Sequence, residues 1–284
     1  MGYENAIELK NVTKEFKGFK LDNISFDLPK GCILGLVGEN GAGKSTTINL
    51  IMNSLKKDSG EISVMGVDNA SGDFAELKED IGVVLDEAYF PMVINAEVVN
   101  KMMKATYTRW DEEVFFGYIH RFDLPQKKPF KEFSRGMKMK LAIAVALSHD
   151  PKLLVLDEAT SGLDPIVRDE ILEIFYDFTR DPEHSVLISS HILSDLEKLC
   201  DYVAFIHKGK LLFCEGKDEL LEKYGVIRCS RSQLADIPSG AVKGKRISDY
   251  GAECLVERNL VSNSFNIEKA SVEDIILYMV KGDK

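Results

Sequence analysis

Long apolar runs are missing from this chain of 284 residues. None approaches the roughly 18 residues a helix needs to cross a bilayer, and the opening MGYENAIELK lacks the charged-then-apolar layout of a secretory leader. A soluble, cytoplasmic chain is expected. Cysteine is scarce and scattered. Cys32, Cys200, Cys214, Cys229 and Cys254 form no close Cys–Cys or Cys–His pairs, which argues against a zinc site and reads as reduced, mostly buried thiols. Positive charge is also in deficit: 36 Lys and Arg face 46 Asp and Glu, for a net charge of −10. Proteins that coat nucleic acid need a basic face, so no nucleic-acid partner is expected. Fixed-period repeats and low-complexity segments are absent as well, and Ala6 stands where a myristoylation signal wants Ser or Thr.

What is present is an ordinary globular composition, 45% hydrophobic, long enough for one large domain or a domain with an appendage. Strand-like IELKNVTKEF and KLDNISFDL lead through Pro29-Lys30-Gly31 into CILGLVG, a glycine cluster and the helical STTINLIMNSL. Strand, glycine loop and helix in that order open an α/β nucleotide-binding unit. Residues 95–122 read as two helices, and RGMKMKLAIAVALS as a third with Met137, Leu141 and Val145 on one face. A second strand–helix series follows, from KLLVLD to the hairpin YVAFIHKGKLLFCEG turning at Lys208-Gly209. From Gly225 shorter mixed segments end in the amphipathic SVEDIILYMVK, read as a small appended subdomain. Its removal is expected to leave nucleotide binding intact, because every candidate contact lies before it.

Two stretches carry chemistry. GENGAGKST, Gly38 to Thr46, fits G-x-x-x-x-G-K-[ST] after a strand and at a helix start. Glycines let successive N–H groups and the helix N-terminus face an anion, Lys44 reaches the outer phosphates, and Ser45 supplies a hydroxyl to Mg²⁺. A glycine-rich turn without a ligand is the bland alternative, and it would not need Lys44 and Ser45. The second stretch is LVLDEATSGLD, where a buried strand ends in two acids. A buried carboxylate needs a cation, a donor or a task. With the strand expected beside the phosphate loop, Asp157 would hold Mg²⁺ through water and Glu158 would polarise the attacking water. A solvated strand end is the other reading.

FSRGMKMKLAIAVALSHDPKLLVLDEATSGLDP, together with the phosphate loop, resembles an ATP-binding cassette (ABC) ATPase, the nucleotide-binding subunit of an ABC transporter, over roughly residues 6–222. The resemblance implies an α/β P-loop core with an antiparallel β subdomain and a helical subdomain at about 88–150. These would make up residues 1–224, with residues 225–284 as a C-terminal α/β extension. It implies ATP and Mg²⁺ as cofactors, bound by Gly38, Asn40, Gly41, Ala42, Gly43, Lys44, Ser45 and Thr46. FSRGM stands at the signature motif, where Ser134 and Gly136 would present a helix N-terminus to the γ-phosphate held by the other subunit of a head-to-tail dimer. Arg135 and Met137 depart from the usual LSGGQ, Arg135 either adding charge near the nucleotide or pointing to solvent. Ser161 and Asp164 match the D-loop that crosses the interface, although Asp164 before Pro165 also reads as a helix cap. His191 matches the switch histidine that contacts the γ-phosphate. Phe16 aligns with the aromatic that stacks on adenine, with Phe19 close by. Asp86 stands where the family carries glutamine near Mg²⁺.

GVVLDEAYF and FSRGMKMKL look most similar to ATPase subunits of bacterial exporters of bacitracin, lantibiotics or phenol-soluble modulins. That similarity implies an integral membrane permease as partner, a homodimer or a heterodimer with another ABC ATPase subunit, and a place on the inner face of the membrane held by the permease. Tyr89 and Phe90 would lie in the permease-docking groove, or form a core or surface aromatic pair. A ribosome- or DNA-directed member would resemble fused cassettes or carry a coiled coil, neither of which fits one phosphate loop and fewer than fifty residues between Asp86 and Phe133. Glu158 argues against a scaffold that binds ATP without turning it over, while Asp86 and Arg135 keep that alternative open.

Overall fold

The computed structural model describes residues 4–86, 90–249, 251–262 and 265–281. Strands β1 (Asn5–Phe16) and β2 (Phe19–Pro29) form a hairpin whose turn uses Gly18 at φ 92°. Along β2 the side chains alternate, with Ile24, Phe26 and Leu28 buried and Ser25 and Asp27 exposed, the mark of a sheet with one covered face. Next come β3 (Ile33–Val37), α1 (Lys44–Ile51), β4 (Ser59–Val64), β5 (Val67–Asp68), α2 (Phe74–Leu77) and β6 (Ile81–Val84). The helical insert contributes α3 (Ala96–Thr106), α4 (Glu112–Arg121) and α5 (Arg135–Leu147), before β7 (Leu153–Asp157), α6 (Pro165–Phe178), β8 (Ser185–Ser190) and α7 (Leu193–Leu199). The core ends in the hairpin β9 (Tyr202–His207) and β10 (Lys210–Gly216) and in α8 (Lys217–Lys223).

An antiparallel sheet, in the order β2-β1-β4-β5, lies against a six-stranded sheet in the order β10-β9-β3-β8-β7-β6, parallel except for β10. Both faces of the larger sheet are covered, which is why β3 and β7 are buried at every residue and read as unbroken apolar runs. Leu153, Val155, Leu187 and Ile206 pack toward the antiparallel sheet and α1. Leu154, Leu156, Val186 and Ile188 pack toward α5, α6 and α7. β8 stands between β3 and the acid-tipped β7, yet the end of β7 lies beside the glycine loop, where Glu158 shares a cavity with it.

The remaining elements are β11 (Tyr224–Cys229), α9 (Arg231–Leu234), β12 (Val242–Ser248), β13 (Gly251–Glu257), β14 (Glu268–Lys269) and α10 (Val272–Lys281), with a sheet in the order β12-β13-β11-β14. Arg228 ties this sheet together through Glu253 and Glu268. Helix α10 has two apolar faces. Ile275 and Tyr278 pack with Leu220, Tyr224, Val226 and Leu255, while Val272, Ile276 and Val280 join the large core that also holds Leu193 and Phe205. The C-terminal segment is therefore packed onto the preceding core.

Candidate functional site

Strand register assembles the site. β3 and β8 pair with Val37 opposite Ser190, and β8 and β7 with Ser189 opposite Asp157. The loops that follow these three parallel strands leave one edge together, carrying Gly38, Glu158 and His191, at the carboxyl ends where open α/β sheets bind ligands. A cavity of about 580 Å³ lies there, lined by Asn40, Gly41, Gly43, Lys44, Ser45 and Thr46 of the glycine loop, by Asp86, Glu158, Ser161 and His191, and by Phe19 and Glu39.

The glycine loop is shaped by close approaches. A Cβ on Gly38 would fall 2.5 Å from the Ile206 carbonyl oxygen, and Gly43 sits at φ 119° with no room for a side chain beside Leu21. Gly43 gives α1 no side-chain cap, so the first-turn N–H groups remain available to an anion. Ala42 lies behind the cavity, buried, and its carbonyl accepts from Gly209 N at 3.0 Å, which fastens the loop to the β9–β10 turn. Lys44 is 5% exposed and its Nζ donates to Gly38 O at 2.8 Å.

Glu158 is the meeting point. Its backbone is held left-handed at φ 53°, a conformation that costs a residue with a Cβ about 1–2 kcal/mol. Its N–H donates to Ser189 at both the carbonyl oxygen and Oγ, each at 3.1 Å. One carboxylate oxygen lies 2.6 Å from His191 Nδ1. The other is buried 3.3 Å from Lys44 Nζ, outside hydrogen-bond alignment, and has no hydrogen bond. Asp157 is buried behind the cavity lining and accepts from Ser189 Oγ at 2.5 Å. Ser189 thus joins both acids across the strand that separates them from β3.

The signature residues stand outside the cavity. Ser134 caps α5, accepting from Met137 N at 3.2 Å, and a Cβ on Gly136 would touch Leu163 at 3.7 Å. Asp164 caps α6 through Val167 N at 3.1 Å, with Pro165 as its first residue, so the capping reading of this acid holds. Arg135 Nη2 donates to Asp86 Oδ1 at 3.0 Å. Phe16 is 40% exposed and does not line the cavity, whereas Phe19, its pairing partner at the end of the hairpin, does. Phe90 packs edge-on against Phe130, and Tyr89 lies outside the described residues.

A family model described as ABC transporter matches residues 21–161. The lantibiotic transport ATP-binding protein SrtF of Streptococcus pyogenes is 35% identical over 225 residues, covering 77% of this chain and 95% of that protein. The chain belongs to the ABC transporter ATPase family. The bacitracin transport ATP-binding protein BcrA of Bacillus licheniformis is 36% identical over 215 residues, covering 72% of this chain and 68% of its own length. A solved ATP-binding subunit of an ABC transporter matches with a TM-score of 0.66 at 25% identity, covering 76% of this chain and 91% of that one.

The residues of this ABC ATPase fit a nucleotide with Mg²⁺. Loop glycines, an uncapped helix and a buried lysine suit polyphosphate, and Glu158, with one buried carboxylate oxygen lacking a hydrogen bond, lines the same space. Among the described residues no cluster of three or more His, Cys, Asp or Glu forms a metal cage. Mg²⁺ binds through one or two protein oxygens plus phosphates and water. Ser45 and Asp86 line the cavity and Asp157 stands behind it. Sequence reading missed two residues. Ser189 was discoverable by the same logic as the acids, as a hydroxyl closing an apolar strand. Asp195 had no such signal: it is buried in α7, accepts from Thr160 Oγ1 at 3.0 Å and lies 3.5 Å from Arg168, bracing the segment after Glu158.

Proposed function

We propose that the chain is the ATP-hydrolysing subunit of an exporter of peptides or antimicrobial compounds. It works as a homodimer, or as a heterodimer with another ABC ATPase subunit, around two ATP and drives a separate integral membrane permease that holds it at the inner face of the membrane. The observation that carries the hydrolytic reading is the Glu158 carboxylate, held between Lys44 and His191 at the glycine-loop cavity. Lys44 and the α1 N-terminus bind the phosphates. Glu158 takes the proton of the attacking water, and His191 orients that carboxylate beside the terminal phosphate. Ser45 and Asp86, with Asp157 through water, hold Mg²⁺, whose charge offsets that of the phosphates. Ser134 and Gly136 face the partner's nucleotide, Asp164 stands at the interface, and Phe16 or Phe19 flanks the adenine. Residues 1–224 carry these contacts, and 225–284 form the extension.

The cargo class rests on the lantibiotic and bacitracin relatives. The permease face rests on the helical insert, where Met92, Val93 and Met102 are exposed apolar side chains 57%, 79% and 41% accessible. Glu158→Gln should keep nucleotide binding and slow hydrolysis about 10²–10⁴-fold, the loss expected of a general base. Unhydrolysed ATP should then hold a dimer on size-exclusion chromatography. A monomer that hydrolyses ATP at the parental rate would sink both the catalytic and the shared-site readings. Co-expressed with its permease, the parent should raise resistance to bacitracin or a lantibiotic, and Glu158→Gln should not. Equal resistance from both would remove the export reading.

A further inference from the structure

Asp86 faces two ways. It lines the cavity of the glycine loop, and its carboxylate is also engaged by Arg135, 49 residues later in the chain and outside that lining, at 3.0 Å. Arg135 is the first residue of α5, directly after the Ser134 cap. Its guanidinium also rests against the turn after Glu158, since a Cβ on Gly162 would lie 2.7 Å from Nη1. One cation therefore ties together the Asp86 loop, the start of α5 and the Gly162 turn. Both side chains of the ion pair are more than half exposed, at 56% and 53%. Exposed pairs of this kind are weak and exchange readily.

We propose that Arg135 and the nucleotide-bound Mg²⁺ are alternative cation partners of Asp86, and that Arg135 thereby sets how much Mg²⁺ the site requires. In the observed contact Asp86 neutralises Arg135 at the start of α5. When the site loads, Asp86 exchanges that monovalent partner for a divalent one that attracts it twice as strongly at equal distance. Arg135 then releases Asp86, and its grip on Gly162 changes with it, so that loading is felt in the Ser161–Asp164 turn. The carboxylate at position 86 is what makes the exchange possible. A neutral side chain there would have no comparable attraction to either cation. Arg135 is a positioning residue in this scheme, acting on Mg²⁺ only through Asp86.

The inference rests on the cavity being a Mg·ATP site, and one assay separates the two. Binding of a fluorescent ATP analogue to the full-length chain is titrated with Mg²⁺ in four proteins: parent, Arg135→Gln, Asp86→Asn and the double variant. Parent binding that responds to Mg²⁺ supports the site reading, and a parent that binds no analogue removes both. Given a functional site, Arg135→Gln should lower the Mg²⁺ concentration for half-maximal binding by up to about fivefold, equivalent to about 1 kcal/mol, the upper range for an exposed pair. Arg135→Lys should restore most of the parental requirement. In the Asp86→Asn background, replacing Arg135 should have no further effect, because the two residues act on the same contact. An unchanged Mg²⁺ requirement in Arg135→Gln would overturn the inference. So would a shift that persists in the Asp86→Asn background, which would mean a general field of the arginine. Thermal melting of each variant establishes that it is folded before titration.

Discussion

Helix α10 fastens the C-terminal segment to the core through Val272, Ile276 and Val280 and to the extension sheet through Ile275 and Tyr278. Read as an appendage, the C-terminal segment looked dispensable for nucleotide binding, but Val272 and Ile275 are fully buried and Tyr278 is 4% exposed. At about 1.5–3 kcal/mol per fully buried side chain, these three alone contribute roughly 5–9 kcal/mol as an upper estimate. That is comparable with the whole stability of an ordinary domain. The helix also reaches the site. Glu273, Ile276, Leu277 and Val280 close a cleft of about 220 Å³ against Gly38, Glu39, His191, Leu193 and Phe205. A chain ending at Ser271 should therefore melt at least about 10 °C below the parent, taking 2–4 °C per kcal/mol. It should also bind a fluorescent ATP analogue more weakly, because Gly38 and His191 lose a packed neighbour. Ile275→Ala provides a milder version facing the extension sheet, with an expected cost of about 2–5 kcal/mol in chemical denaturation. A truncated chain that melts within 2 °C of the parent and binds normally would refute the argument. So would an Ile275→Ala chain within about 0.5 kcal/mol of parental stability.

Lys44→Ala removes a buried ammonium from the glycine loop, and nucleotide affinity should fall by about 1.5–3 kcal/mol, roughly tenfold to 150-fold in Kd by fluorescence titration. Hydrolysis should fall by at least about 10²-fold, and normal turnover would mean the cavity is not the site. His149, stacked on Tyr107 at 4.0 Å, is held below the ordinary imidazole range by burial, against the opposing pull of the Val145 and Ile81 carbonyls. Because the unfolded chain takes up that proton first, stability should drop as pH falls below about 6.5 and level off below the folded value. Melting curves of parent and His149→Gln between pH 7 and 5 should show a shallower acid slope in the variant, and parallel slopes would refute the assignment.

The parts of this ABC ATPase that were legible in sequence are those where chemistry fixes neighbouring residues. A phosphate cradle needs its glycines, lysine and hydroxyl within one turn, so Gly38–Thr46 announces itself, as does an apolar strand ending in Asp157 and Glu158. Strand order was less legible. Sequence put the acid-tipped strand beside the glycine loop but gave no order, and the fold sets β8 between β3 and β7 and uses Ser189 to carry hydrogen bonds from one acid to the other. The aromatic at the cavity shows the same limit at smaller scale. Phe16 and Phe19 flank a two-residue turn and pair directly, and only the path of β2 past the glycine loop brings Phe19 to the cavity, where a Cβ on Gly43 would lie 3.2 Å from its ring.

Least legible were contacts between side chains far apart in sequence. Asp195 reads as an ordinary helix acid, yet it is 3% exposed because Thr160 and Arg168 converge on it. Arg135 and Asp86 each read alone as a departure at a familiar position, one adding a positive charge and the other a negative. Together they form a pair whose charges cancel, and that is visible only once α5 is packed over the end of β6. Pairing also changes the meaning of each residue. A lone Asp86 would be an extra anion at a phosphate site, and a lone Arg135 an unguided cation on the signature helix. Joined at 3.0 Å, they form an exposed pair of the weak kind, with Asp86 in the lining of the cavity.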